Sequence, residues 1–323
     1  MMQGKIGLEE HFAVNETLMD SKGFMPEDFW IELRGRLLDI HEKRLGLMDR
    51  YGIERMILSL NAPAVQAIPD VRRAVEVARI ANDVLAEEVA KRPDRFSGLA
   101  ALPMQDPEAA SQEFTRCVKE LSFRGALVNG FSQVREVNST VYYDLPHYWP
   151  FWQVVENLDV PFYLHPRNPL NVGHPEYEGH PWLVGPTWAF AHETAVHALR
   201  LMASGLFHKY PKLKIILGHL GEGIPFNIWR IDNRLRKSPM GYSAPKLPGE
   251  YFRSNFWITT SGNFRTQTLI DTMLEIGSDR LLFSTDYPFE EVNEAAEWFD
   301  QASISEADRL KIGRLNAIQL FKL

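Results

Sequence analysis

Apolar runs of strand length alternate with runs of helical period along the whole of this 323-residue chain, eight times over. The strand-like runs are Ile6–His11, Arg55–Asn61, Phe96–Pro103, Gly125–Gly130, Pro161–His165, Lys214–His219, Phe256–Gly262 and Arg280–Asp286. Between them, apolar residues recur at helical spacing. Leu33, Leu37, Ile40, Leu45 and Met48 predict one helix from about Phe29 to Tyr51, stopped by Gly52. Asp70 is placed to cap a helix running to Lys91, and Asp106-Pro107 to open the next. Further helices are expected over Tyr148–Leu158, Trp188–Lys209, from near Glu222, and over Thr266–Gly277, with two short ones closing the chain. Phe12–Glu27, Phe131–Tyr143, Pro166–Pro186 and Lys237–Glu250 read as loops, the second a surface loop and the third a lid or interface segment.

Eight strand–helix repeats without a composition break predict one (β/α)8 barrel domain spanning residues 1–323. A doubly wound open sheet is the alternative, but no glycine-rich phosphate turn follows the first strand. At 45% hydrophobic the chain can fill a large core, and a net charge of −7 speaks against nucleic acid or an anionic membrane as partner. No basic-then-apolar leader and no apolar run of membrane-spanning length is present, and the expectation is a cytoplasmic protein. Cys117, the one cysteine, excludes an intrachain disulfide and reads as a buried bystander in a helix. Eight Trp and nineteen Phe suit aromatic-lined pockets or a subunit interface.

Polar residues of one chemical kind stand at the ends of these strands. Glu9 and His11 share a face of the first by strand alternation, and Glu10 points to the other, as a structural or supporting residue. His165 ends the fifth strand, His219 the sixth and Asp286 the eighth, at the end where such barrels keep their chemistry. Glu9, His11, His165 and Asp286 are expected to meet on one divalent metal ion, since two carboxylates and two imidazoles suit Zn2+ or Mn2+. Unpaired carboxylates in a barrel mouth are costly without such a cation. His219 and Glu222 form a His-x-x-Glu pair, Glu222 orienting and charging the imidazole. Glu222, Phe226 and Arg230 recur at a spacing of four, which puts Arg230 on the same helical face, reaching an anionic or phenolic substrate group. His41, His147, His192, His197 and His208 fall in predicted helices and are taken as structural, and His174 and His180 lie in the long loop away from the site. A metal here can activate water, polarise a carbonyl or chelate a substrate, and Asp286 can act as base for a hydrolase or acid for a decarboxylase. The ligand set does not choose between them.

Several long stretches carry a resemblance that covers essentially the whole chain. They are Leu8–Phe12, Ile57–Asp70, Gly125–Gln133, Leu164–Pro169, Gly179–Phe190, Thr259–Thr268 and Phe283–Glu290, while Val134–Val141 and Lys237–Glu250 diverge. Through them the chain resembles the amidohydrolase superfamily, in the branch of metal-dependent decarboxylases that includes aminocarboxymuconate semialdehyde decarboxylase. Most hydrolases of that superfamily carry His-x-His on the first strand, where this chain has Glu9-Glu10-His11, and binuclear members end the fourth strand in a lysine, where Asn129 stands. Both departures point to a single metal. The resemblance is greatest to decarboxylases of 2,6-dihydroxybenzoate. It implies a reversible, nonoxidative decarboxylation, ligands Glu9, His11, His165 and Asp286 around Mn2+ or Zn2+, and Asp286 protonating C1. It also implies a His219–Glu222 dyad, a pocket including Arg230, Asn129 and Phe24, a small aromatic carboxylic acid as partner, and a homotetramer. Other ortho-hydroxybenzoates, such as 2,3-dihydroxybenzoate, and a mononuclear lactone or amide hydrolase are the alternatives, and a non-catalytic metal-binding barrel leaves His219, Glu222 and Arg230 without a purpose.

Overall fold

Each of the eight apolar runs forms a strand in the computed structural model, which describes residues 1–23, 26–170 and 173–323. The strands are β1 (Lys5–Phe12), β2 (Ile53–Leu60), β3 (Phe96–Gly98), β4 (Ala126–Asn129), β5 (Phe162–His165), β6 (Ile215–Leu217), β7 (Phe256–Thr259) and β8 (Leu281–Leu282). Every neighbour in the sheet is the next strand in the chain, paired parallel. Parallel bridges Ala100↔Ala126 and Leu8↔Ser284 join β3 to β4 and β1 to β8, and the sheet closes into a (β/α)8 barrel. Several strands are shorter than the apolar runs that announce them, because the runs continue into the loops that carry the polar residues.

Alternation along the strands decides which residues enter the barrel. Ile57, Leu127, Tyr163, Ile216 and Leu282 pack inside, with Ala317, Leu320 and Phe321 of the last helix below them. Their neighbours Met56, Leu58, Ala126, Val128, Phe162 and Leu164 belong instead to the shell between strands and helices. Two residues beyond Leu127 and Tyr163 on the same face come Asn129 and His165, which are cross-strand partners. Strand β1 departs from this simple rule. Ile6 and Leu8 also face inward, and strict alternation would then turn Glu10 into the barrel and Glu9 and His11 out. A bulge between Gly7 and Glu10 inserts one residue against β2, with Glu9 at a φ of 58°. Both the apolar pair and the Glu9–His11 pair therefore face the interior, and Glu10 pairs opposite the outward Leu58.

The helices lie outside the barrel. The expected helix from Phe29 to Tyr51 is in fact two, α1 (Glu27–Leu38) and α2 (Lys43–Arg50). Asp39 leaves the helical region and its carboxylate accepts from the N–H groups of Glu42 and Arg44, which starts the second helix. His41 thus sits in the break, 2.8 Å from a Glu88 oxygen. Asp70 and Asp106 cap α3 (Val71–Lys91) and α4 (Pro107–Lys119) as expected. Buried in α4, Cys117 has its thiol pushed far up by burial and is no nucleophile. After α5 (Trp149–Leu158), the stretch read as one helix from Trp188 to Lys209 divides into α6 (Ala189–Ala203) and α7 (Leu206–Lys209), separated at Gly205, whose φ is 83°. The chain then adds α8 (Ile224–Lys237), α9 (Pro248–Asn255) and α10 (Thr266–Ile276), and ends on α11 (Val292–Gln301), α12 (Glu306–Leu310) and α13 (Asn316–Phe321). The segment from Phe131 to Tyr143 is only partly a surface loop. Phe131, Ser132 and Tyr143 are buried, and Ser132 bridges Val141. Among the described residues no helix is long and apolar enough to cross a membrane.

Candidate metal centre

At the C-terminal ends of the strands, five side chains from four strand ends face one small volume. Glu9 Oε1 lies 3.1 Å from His165 Nε2 and 3.5 Å from His219 Nε2. His11 Nε2 lies 3.5 Å from one oxygen of Asp286, and His219 Nε2 lies 3.5 Å from the other. One donor atom each from Glu9, His11 and His165, and one each from Glu9, His219 and Asp286, fall within 4.8 Å of one another. Glu9 Oε1 and His11 Nε2 are buried and make no hydrogen bond to the described residues. Two buried, unpartnered electron-pair donors aimed at one point would be unfavourable by themselves, and a divalent cation fits between them.

The backbone is bent to bring them there. Glu9, His219, Glu222 and Asp286 all have left-handed φ, between 51° and 62°. For residues with a Cβ this costs on the order of 1 kcal/mol each. From His219 to Gly223 five consecutive residues are left-handed, with Gly221 and Gly223 taking the largest angles after Leu220. The turn is held by Leu220 N–H to Thr259 O at 2.9 Å and Gly221 N–H to Gly218 O at 2.7 Å. It turns the His219 ring toward Glu9 and Asp286, and it sets Glu222 Oε1 2.6 Å from His219 Nδ1.

Charge balance follows from these contacts. Burial works to raise the Glu9 carboxyl, but the imidazoles of His219, His165 and His11 together outweigh it and hold it well below the usual carboxylate range. For His219 burial disfavours the charged ring, and Glu222, Glu9 and Asp286 reverse this and raise it well above the ordinary histidine value. Glu10 is pushed up to about 7 by burial, against hydrogen bonds from Thr285 and the nearby Arg44. It accepts from Thr285 N–H at 3.0 Å and Thr285 Oγ1 at 2.5 Å, tying β1 to the chain beside Asp286.

The other residues singled out from the sequence are placed as follows. Asn129 is buried, donating to Asn61 O at 2.9 Å, and its Oδ1 has no partner among the described residues. Arg230 does not share a face with Glu222. Because the left-handed turn delays the helix to Ile224, the spacing of four is not helical across its whole length, and Glu222 is buried where Phe226 and Arg230 are exposed. Phe24 lies outside the described residues. Sequence reasoning missed Tyr163, Thr259 and Ser261, whose hydroxyls gather on Glu9, though their inward strand positions were a usable signal. It also missed Arg44, fully buried, which donates to His11 O at 2.5 Å and lies over the Tyr287 ring. Periodicity gave no hint of a buried guanidinium there.

The amidohydrolase family model matches residues 18–323. A gamma-resorcylate decarboxylase of Rhodococcus jostii (strain RHA1) is 68% identical over 327 residues, covering 100% of this chain and 99% of its own. One from Rhizobium sp. (strain MTP-10005) is 67% identical over 324 residues, with the same coverage. Among solved structures, a 2,6-dihydroxybenzoate decarboxylase complexed with 2,6-dihydroxybenzoate superposes with a TM-score of 0.98 at 67% identity, covering 100% of both chains. A dihydroxybenzoic acid decarboxylase from Polaromonas sp. JS666, with bound manganese and the inhibitor 2-nitroresorcinol, gives a TM-score of 0.98 at 66% identity, covering 100% of this chain and 98% of that one.

Proposed function

The chain belongs to the amidohydrolase family, and we propose that within it the protein is a carboxy-lyase that removes CO2 from 2,6-dihydroxybenzoate, reversibly and without oxidation, to give resorcinol. The observation that carries the reading is the buried convergence of Glu9, His11, His165 and Asp286, with Glu9 Oε1 and His11 Nε2 left unpartnered among the described residues. These four residues would hold one divalent cation, Mn2+ or Zn2+. When bound, the cation supplies Lewis acidity for the substrate's carboxylate and ortho oxygen and favours the phenolate form.

The protein's own residues account for the rest. In its acid form Asp286 gives a proton to C1. The bond from C1 to the carboxylate then breaks, its electron pair returns to the ring, and CO2 leaves. Protonation at C1 interrupts the aromatic sextet, so the step needs electron density from an ortho oxygen, and 2,6-dihydroxybenzoate carries one on each side. The proton released as the ortho hydroxyl ionises recharges Asp286, and the product phenolate regains one from water. Glu222 fixes His219 through Nδ1, and the imidazolium stabilises the carboxylate that Asp286 becomes. Asn129 Oδ1 offers an acceptor for the second hydroxyl, and Arg230, exposed on a helix that starts at the site, offers a cation for an anionic group.

We also propose a single domain over residues 1–323, in keeping with one closed barrel, and a homotetramer. Exposed Phe226 and Trp229 on α8, and Trp182 and Trp188 in the long connection, support association of copies. A reducing, cytoplasmic setting accords with one buried thiol. The function is tested by incubating Mn2+-loaded protein with 2,6-dihydroxybenzoate, against a chelator-treated control, and following resorcinol and CO2. Metal-dependent resorcinol is expected. Silence on this substrate beside turnover of 2,3-dihydroxybenzoate or of a lactone would overturn the assignment.

A further inference from the structure

The two oxygens of Glu9 have opposite surroundings. Oε1 faces the imidazoles of His165 and His219 and accepts no hydrogen bond from either. Oε2 is held by Tyr163 OH, by Ser261 Oγ at 2.5 Å and, more distantly, by Thr259 Oγ1 at 3.4 Å. The hydroxyls are also linked to one another, Tyr163 to Thr259 at 2.8 Å and Thr259 to Ser261 at 2.9 Å. Ser261 Oγ further accepts from the N–H of His219 at 3.2 Å.

Donor accounting makes the asymmetry firm. A carboxylate oxygen has two lone pairs. Tyr163 and Ser261 fill both on Oε2, and the Thr259 proton can serve the Tyr163 or Ser261 oxygen. Nothing comparable among the described residues occupies Oε1. Space is closed as well: a Cβ on Gly218 would stand 2.8 Å from Oε2, 3.0 Å from Ser261 Oγ and 3.2 Å from Tyr163 OH. The residue before His219 must therefore lack a side chain for the hydroxyls to reach Glu9.

We propose that Tyr163, Ser261 and Thr259 are positioning residues that reserve Glu9 as a one-oxygen donor, keeping its carboxylate from turning both oxygens to the cation. This rests on the metal reading given above. Its consequence is selectivity. Ca2+ readily takes a carboxylate through both oxygens and prefers six to eight ligands, whereas smaller divalent ions are satisfied by fewer, single-oxygen contacts. The cradle thus disfavours Ca2+ and leaves coordination positions open for the substrate.

Calorimetric titration of metal-free enzyme with Mn2+ and with Ca2+ tests this without turnover. Wild type should bind Mn2+ far more tightly than Ca2+. Tyr163→Phe, which removes one hydroxyl and little volume, should weaken Mn2+ by about tenfold and narrow the Mn2+/Ca2+ ratio. Ser261→Ala should act in the same direction, and serves if the Phe variant does not fold. A folded variant of either kind with an unchanged ratio overturns the cradle. Wild type that fails to bind Mn2+, or Glu9→Gln that binds it like wild type, would instead overturn the metal reading beneath it.

Discussion

Asp286 has two duties in the proposed reaction, and a single substitution separates them from mere placement. It stands 3.5 Å from both His11 Nε2 and His219 Nε2, through different oxygens. Asp286→Asn keeps the shape but has no acidic proton to give, so kcat should fall by on the order of 10²–10⁴-fold, the usual contribution of a general acid. Resorcinol release measured beside metal stoichiometry checks it, and retained turnover would remove Asp286 as the acid. Arg230 makes a different kind of claim. It is exposed and pairs with no carboxylate among the described residues, so Arg230→Ala should leave the fold intact. A charge-assisted contact to the substrate is worth roughly 1.5–3 kcal/mol, so KM should rise by about tenfold or more while kcat changes little. An unaltered KM would count against any contact between Arg230 and the substrate.

At the scale of elements, what was legible in the sequence is what alternation and capping dictate. Asn129 and His165 follow Leu127 and Tyr163 on one face of their strands, so their direction could be read from apolar spacing alone. The bulge in β1 could not, because an inserted residue changes register without changing composition. Its trace is a conflict of parity: Ile6 and Leu8 face the same interior as Glu9 and His11. The Arg230 placement failed for a related reason, since a spacing of four means one face only inside a helix, and Gly221 and Gly223 keep Glu222 out of it. Helix α6 carries an element-scale prediction in His197, taken from the sequence as structural. It is fully buried, its Nε2 accepts from Tyr143 N–H at 3.2 Å, and burial, with Arg200 nearby, pushes it down to about 3. Between the usual value near 6.5 and about 3, the unfolded chain takes up this proton and the folded one does not. Stability present above that window is lost as pH falls through it, with a slope of up to about 1.4 kcal/mol per pH unit from this one group. His197→Gln keeps an acceptor for Tyr143 and should flatten the slope in urea unfolding across this range. An unchanged slope would show that His197 does not govern it.

For the whole molecule, the centre lies on the seam where the barrel closes. Glu9 and His11 come from the first strand and Asp286 follows the last. Between those elements the backbone contributes Leu8 N–H to Phe283 O at 3.3 Å, His11 N–H to Tyr287 O at 2.6 Å and the Leu8–Ser284 bridge. Strand β8 itself is only two residues long, so side chains must do much of the joining there, as Glu10 does through Thr285 and Arg44 through His11 O and the Tyr287 ring. A cation held by Glu9, His11, His165 and Asp286 would then cross-link the two ends of the barrel as well as serve the chemistry. Ligand bound only by the folded state at 100 times its Kd adds about 2.7 kcal/mol. For 323 residues, at an unfolding entropy near 2.1 cal/mol/K per residue, that corresponds to about 4 °C in Tm. Removing the metal with a chelator should lower Tm by this order, and Mn2+ should restore it. In Glu9→Gln the increment should shrink, because one ligand of the cross-link has lost its charge. Equal Tm with and without Mn2+, in protein shown to bind it, would mean that the unfolded chain holds the ion as well as the barrel does, and that the seam owes its closure to protein contacts.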